Sequence, residues 1–186
     1  LTITQKGLAL LVNHIGNDLS RIENEVDKLS DNLGKRTNIT EDDIEEYIGV
    51  SKDYNVFELQ AALASKDLAR CIQIIQYFEA NPKAGPIQLL LPSIYSFFTK
   101  VFMVFGAGTN DEKAIAVSIG VNPFFMKDYM QAARLYTYPG VEKVLLLLHQ
   151  YNLKSVGIGS TATEDASLLK EMVVKMGKAG MMGFYG

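Results

Sequence analysis

The sequence predicts an all-α protein built as two helical subdomains, and three observations carry that reading. Apolar residues recur at steps of three and four along most segments, and none shows the period-two alternation of a half-buried strand. Helix-start residues (Thr4, Asn17 or Asp18, Thr40, Asn55, Asp67, Asn110 or Asp111, Asn122, Thr161) and the stop glycines Gly34 and Gly49 punctuate the chain throughout. One stretch, VSKDYN at residues 50–55, breaks the pattern and is polar at its centre. That stretch is the expected joint, with a first subdomain over residues 1–50 and a second over 54–186.

Each element follows from local chemistry. Thr4 caps a helix expected to reach about His14, and Asn17 or Asp18 caps a second. In the second, Leu19, Ile22, Val26, Leu29 and Leu33 fall in one stripe that must bury against a partner, while Arg21, Glu23, Glu25, Asp27 and Lys28 face water. Thr40 followed by Glu41, Asp42 and Asp43 gives a third helix an acidic first turn, favoured by the helix dipole. Asn55 with Glu58 opens a helix to about Ser65, and Asp67 caps the next, which ends near Asn81–Pro82. Gly85–Pro86 opens a long apolar helix in which Pro92 predicts a kink or break. GAGTN, residues 106–110, is a loop; a short helix follows to Ile119, and Asn122–Pro123 opens another. Tyr138–Pro139–Gly140 is expected as a turn before VEKVLLLLHQY. Thr161 with Glu164 reads as a capping box for a last helix to about Met176, followed by a glycine-rich tail from Gly177.

Composition excludes several classes. With 48% apolar and 21% charged residues the chain fills an ordinary core, and a net charge of −3 supplies no global field for phosphate neutralisation. A single cysteine, Cys71, rules out an internal disulfide and fits a cytoplasmic, reducing compartment. The chain opens on Leu1 without a charged-then-apolar leader, which reads as a piece of a longer protein. The run IQLLLPSIYSFFTKVFMVF, residues 87–105, is interrupted by Gln88, Pro92, Ser93, Ser96, Thr99 and Lys100. It reads as a core helix and not a membrane span, which needs about 20 nearly uninterrupted apolar residues.

No catalytic, cofactor-binding or metal-ligating set emerges. His14 and His149 stand on separate predicted helices without ligand-type neighbours at suitable spacing, and Cys71 lacks a base that would make it a thiolate. The acidic run EDDIEE at 41–46 reads as a solvated helix start. The glycines of GAG (106–108) and GIGS (157–160) lack the spacing of a phosphate loop. Phe97–Phe98 and Phe124–Phe125 lie in predicted apolar helices and are expected in the core, not on a base-stacking platform. Lys127, Arg134, Lys143 and Lys154 are scattered among acids and read as solvated surface. The pattern favours an assembly scaffold; the alternative is a self-contained helical regulator or enzyme with a buried small-molecule site.

An ordered set of segments resembles one family. LLVNHIGNDLSRIENEVDKL (10–29), with Gly16, Asp18–Leu19, Glu25 and Lys28–Leu29, is similar to the lid signature of the delta subunit of the bacterial DNA polymerase III clamp loader. The helix start Ile39–Ile44 follows at the family's spacing, then NVFEL (Asn55–Leu59, including Phe57) with Ala61 and Ala62. Further on come GVNPFFMKDYMQAARLY, containing Arg134, and LLKEMVVKM. A departure lies at Asn152–Gly157, where the family often has an acid first and a second lysine near Val156.

The resemblance implies a small helical AAA+-type lid followed by a helical-bundle collar, in a non-catalytic subunit that works in DNA replication. It also implies partners: the other clamp-loader subunits through the collar, and the sliding clamp only through an N-terminal domain missing here. A weak primer–template DNA contact is admitted, and no membrane or cofactor is implied. Related lids carry a nucleotide-sensing arginine at a position near Ser20; Arg21 is one residue away, a turn of about 100° around the helix. Nothing in these residues supports nucleotidyl transfer, although the parent complex serves a polymerase.

Overall fold

The computed structural model describes residues 1–15, 18–158 and 164–179. The expected Thr161 cap and nearly all of the glycine-rich tail lie outside these residues. The described chain is helical almost throughout and divides into two compact units, Leu1–Asn55 and Val56–Gly186.

The first unit holds α1 (Gln5–Ile15), α2 (Leu19–Asn32) and α3 (Glu41–Ile48). Thr4 opens α1 by accepting the Gly7 N–H at 3.0 Å, and Asp18 opens α2 by accepting the Arg21 N–H at 3.1 Å. The absence of strands expected from the sequence is corrected in one detail. Two-residue strands β1 (Thr2–Ile3) and β2 (Asn38–Ile39) pair in parallel and pin the chain start beside the entry to α3. Two residues are too few for alternation to show. The core is Leu10, Leu11, Ile15, Leu29, Leu33, Ile39 and Ile44.

The apolar stripe of α2 is only partly buried. Leu29 and Leu33 are core residues, Ile22 and Val26 are half-buried, and Leu19 is 79% exposed. The reason is length: α2 has 14 residues against 8 in α3, so its first turns outrun their cover. Gly34 (φ 63°) and Gly49 (φ 84°) follow α2 and α3 in the left-handed conformation that glycine adopts without steric cost.

The second unit contains α4 (Val56–Ala64), α5 (Leu68–Ala80), α6 (Ile87–Val104), α7 (Glu112–Ser118), α8 (Met126–Ser155) and α9 (Asp165–Lys178). α6 packs chiefly on α8 and also on α4, while α5 and α8 hold α9. α7 seals one end through Ile115, Ala116 and Ile119 against Met126, with Val104 and Tyr129 alongside. α6 is long and apolar enough to cross a membrane by length and composition. Its face of Ile87, Leu90, Leu91, Ile94, Phe97, Phe98 and Val101 is buried in this unit.

Three expectations about proline and caps are corrected. α6 is not broken at Pro92: the ring lies on the exposed side, where the carbonyl of Gln88, left without its helical donor, is near solvent. Pro86 is the residue before the helix, not its first position, because the chain is still extended there (φ −62°, ψ 134°). α9 begins at Asp165 with Glu164 as its unbonded cap residue, so Glu164 does not occupy the third helical position a capping box requires.

The Tyr138–Pro139–Gly140 turn is also replaced. α8 runs from Met126 to Ser155 and leaves helical geometry only at Thr137 (φ 60°, ψ 167°). That region is open essentially to glycine alone and strains a β-branched residue. The strain persists because both neighbours are held by α6. Tyr136 packs edge-on against Phe98 at 5.1 Å, and Tyr138 against Phe102 at 4.9 Å and Phe105 at 5.7 Å. Glycine at an ordinary exposed helical site such as Gln150 costs about 1 kcal/mol. Thr137→Gly is expected instead to raise stability by about 1 kcal/mol, seen as a higher thermal midpoint beside a lowered one for Gln150→Gly. A drop for both variants would mean the site carries no strain.

Candidate functional site

The residues that could carry chemistry stand on three different helices. His14 and His149 lie exposed on α1 and α8. Cys71 is buried in α5, and burial pushes its thiol up to about 12, so it stays protonated and inert as a nucleophile. Among the described residues no group of three or more His, Cys, Asp or Glu could hold a metal ion.

The acidic run of α3 is a fastening and not merely a solvated start. Glu41 Oε2 accepts from the Thr4 hydroxyl at 3.0 Å, and Asp42 pairs with Lys52 of the joint. Asp43 is 3% exposed and forms a reciprocal box with Thr40: its Oδ2 accepts the Thr40 N–H at 2.8 Å while the Thr40 hydroxyl accepts the Asp43 N–H. Arg36 closes on the same carboxylate with two N–H groups, at 3.2 and 2.5 Å. The guanidinium and the cap hold the Asp43 carboxyl below the ordinary carboxylate range. The S/T-x-x-E/Q signature, relaxed to admit Asp at its last position, would have found the Thr40–Asp43 half; the Arg36 half has no sequence signal.

Aromatic surface is scarcer than the count of rings suggests, and one expectation fails. Phe97 and Phe98 are in the core, as their helix implies. Phe124 and Phe125 are not inside a helix: Asn122 accepts the Phe124 N–H at 2.9 Å and Pro123–Phe125 forms a single 3-10 turn. The tight turn leaves Phe124 exposed, edge-on to Phe125 at 5.0 Å. A second exposed cluster joins Phe105 and Tyr138, beside Phe102, at the break of α8.

Among the family-matching residues that the structure describes, one caps a helix, two approach as an ion pair and one is core. Asp18 caps α2 and Leu19 is exposed beside it. Glu25 and Lys28 approach to 3.7 Å one turn apart, and Leu29 is fully buried. Phe57 is half-buried in the first turn of α4, and Arg134 is exposed on α8. Gly16, like Gly159 and Ser160 of the second glycine stretch, lies outside the described residues. Lys127 and Lys143 are exposed, whereas Lys154 sits 4.7 Å over the ring of Tyr151.

An open cleft of about 330 Å³ lies between the α5–α6 connection and the start of α9. Its floor is Ile75, Phe78 and Leu169, and Glu79, Glu164 and Asp165 stand at its rim. Gly85 is buried there because an added Cβ would meet the Phe78 ring at 2.5 Å. Glu79 is already paired with Lys170 at 2.7 Å, and among the described lining residues Glu164 and Asp165 are the other ionisable groups. The cleft is open, unlike the enclosed apolar pockets that bury most of a small ligand.

The outward side of α6 is distinctive in another way. Gln88, Leu89, Pro92, Tyr95, Ser96 and Met103 are exposed along it, with Lys100 as the one basic group at its edge, turned to the Gly120 carbonyl at 3.1 Å. Charge depletion with exposed apolar and aromatic groups is the composition of an interface core.

Comparison with known proteins places this architecture. The chain is 30% identical over 170 residues to DNA polymerase III subunit delta of Bacillus subtilis (strain 168), across 89% of the chain and 46% of that protein. The solved structure of the Bacillus subtilis DNA clamp loader delta protein matches with a TM-score of 0.62 and 24% identity, over 95% of this chain and 51% of the other. The chain thus spans about half the length of the relatives it matches. No family model matches it.

Proposed function

We propose that this chain, related in sequence and fold to the delta subunit of bacterial DNA polymerase III, is a non-catalytic assembly segment of a clamp loader in DNA replication. The observation that carries the proposal is the extent of the match: identity spread over 170 residues and both units, not confined to one motif. The first unit then serves as a helical lid and the second as a collar that joins the loader ring. Its partners are the other loader subunits through the collar, with Leu89, Tyr95 and Met103 of α6 offering an exposed apolar face for such contact. The sliding clamp is engaged through an N-terminal domain outside this chain, and primer–template DNA is touched weakly, with Phe105 and Tyr138 as the exposed aromatic candidates. The setting is the cytoplasm.

The reading of a self-contained enzyme with a buried small-molecule site is not favoured by the kinship or by the open, acid-rimmed cleft. Gel filtration with the other loader subunits tests the assembly role. The chain is expected to co-elute with them as one complex, and Leu89→Lys with Met103→Glu on α6 is expected to weaken that complex at least tenfold. Separate elution at micromolar concentration would sink the assembly reading; unchanged affinity of the double variant would move the interface off α6.

A further inference from the structure

Lys66 occupies a position where its residue type is unfavourable. It follows α4 with φ 57°, one of two non-glycine residues in the described chain with positive φ. Its N–H bonds to Leu63 O at 3.0 Å, and the Asp67 N–H bonds to Ala62 O at 2.9 Å. This is the Schellman arrangement, in which the left-handed residue is ordinarily glycine. A lysine there accepts a backbone cost that glycine would not have.

The side chain shows what offsets that cost. Lys66 Nζ donates to Ala179 O, at the C-terminal end of α9, over 2.6 Å. The same ammonium lies 4.4 Å from the centroid of the Tyr136 ring on α8. Tyr136 in turn donates its hydroxyl to Leu63 O at 2.9 Å, within the turn that positions Lys66. A cation at a helix C-terminus meets the negative end of the dipole, and a partly buried cation over an aromatic face gains further. Partial burial lowers the proton affinity of the amine.

We infer that Lys66 is a charge-dependent clasp: its ammonium fastens the C-terminal end of α9 to the end of α4 and to Tyr136 of α8, so that neutralising the charge frees that end while the rest of the unit stays folded. The fastening bridges 113 residues of sequence, and the direct packing of α4 on α9 is otherwise slight beside that of α5 and α8. The occupant of the site is the chain's own helix end, and the controlling variable is the charge on one side chain.

Hydrogen exchange in the full chain separates the clasp from a plain turn residue. Lys66→Met keeps the apolar stem and removes the charge; exchange across Val173–Lys178 is expected to quicken about tenfold, with α5 and α6 unchanged. Lys66→Arg retains a cation and is expected to stay near the wild-type rate. Lys66→Gly relieves the positive φ and yet should loosen the same helix end as Lys66→Met does. Wild-type exchange at that end in the Met or Gly variant overturns the clasp. So does an Arg variant as loose as the Met variant, or an equal rise across α5 and α6, which would make Lys66 a general packing residue.

Discussion

Tyr136→Ala is expected to destabilise the second unit by about 4 kcal/mol, the largest effect of any single truncation discussed for this chain. The ring is fully buried, packs edge-on against Phe98 at 5.1 Å, and lies under the Lys66 ammonium. Removing it opens a cavity between α6 and α8 and takes away one of the two anchors that hold Thr137 in its strained conformation. Tyr136→Phe isolates the hydroxyl. The Leu63 carbonyl that accepts from it also accepts the Lys66 N–H, so it keeps one donor when the hydroxyl goes. The expected cost is therefore only about 1 kcal/mol. Urea unfolding followed by helical circular dichroism measures both; the chain has no tryptophan to report instead. Equal losses for Phe and Ala would show that the hydroxyl, not the ring, dominates.

The contrast between these two substitutions shows what was legible in the sequence. Helix starts at Thr4, Asp18, Thr40, Asp67 and Asp111 were legible because a cap acts within three residues, and each bonds as its chemistry requires. The continuity of α8 was not legible. Pro139 and Gly140 are strong local breakers, but Tyr136 and Tyr138 lock onto α6 on either side of Thr137, and that tertiary hold overrides the local preference. Leu19 was misplaced for a related reason: periodicity marks an apolar face but not whether a neighbour is long enough to cover it; Phe124 was misplaced because Asn122–Pro123 opens a 3-10 turn and not an apolar helix. Of the candidate site, the Thr40 cap was readable from its place before the acidic run. The fastenings at Asp43 and Lys66 were not, because Arg36–Asp43 needs the turn geometry, and Lys66 stands where glycine would be expected.

Asp43 is where pH should enter. The carboxylate accepts from the Thr40 N–H and hydroxyl, both at 2.8 Å, and from two N–H groups of Arg36. Its folded-state pKa is lowered from the ordinary value of 3.8, first by the Arg36 hydrogen bond. A carboxyl depressed in the folded state contributes stability that is complete above its unfolded pKa and is lost as pH falls through the folded one. The first unit should therefore keep the full Asp43 contribution at pH 7 and begin to lose it below about pH 4. Asp43→Ala is expected to cost the first unit about 2–3 kcal/mol at pH 7, most of it from the buried cap, since the exposed guanidinium is screened by solvent. Asp43→Asn preserves shape and one acceptor oxygen but not the charge, and should cost about 1–2 kcal/mol. The discriminating measurement is the gap between wild type and Asp43→Asn in amide protection over Leu10–Ile48, at pH 7 and again at pH 3. That gap should shrink at pH 3, because below its unfolded value the carboxyl takes up a proton more readily in the unfolded chain than in the folded one. A gap of equal size at both pH values would mean that the Asp43 charge does not hold the first unit together, and that its packing does.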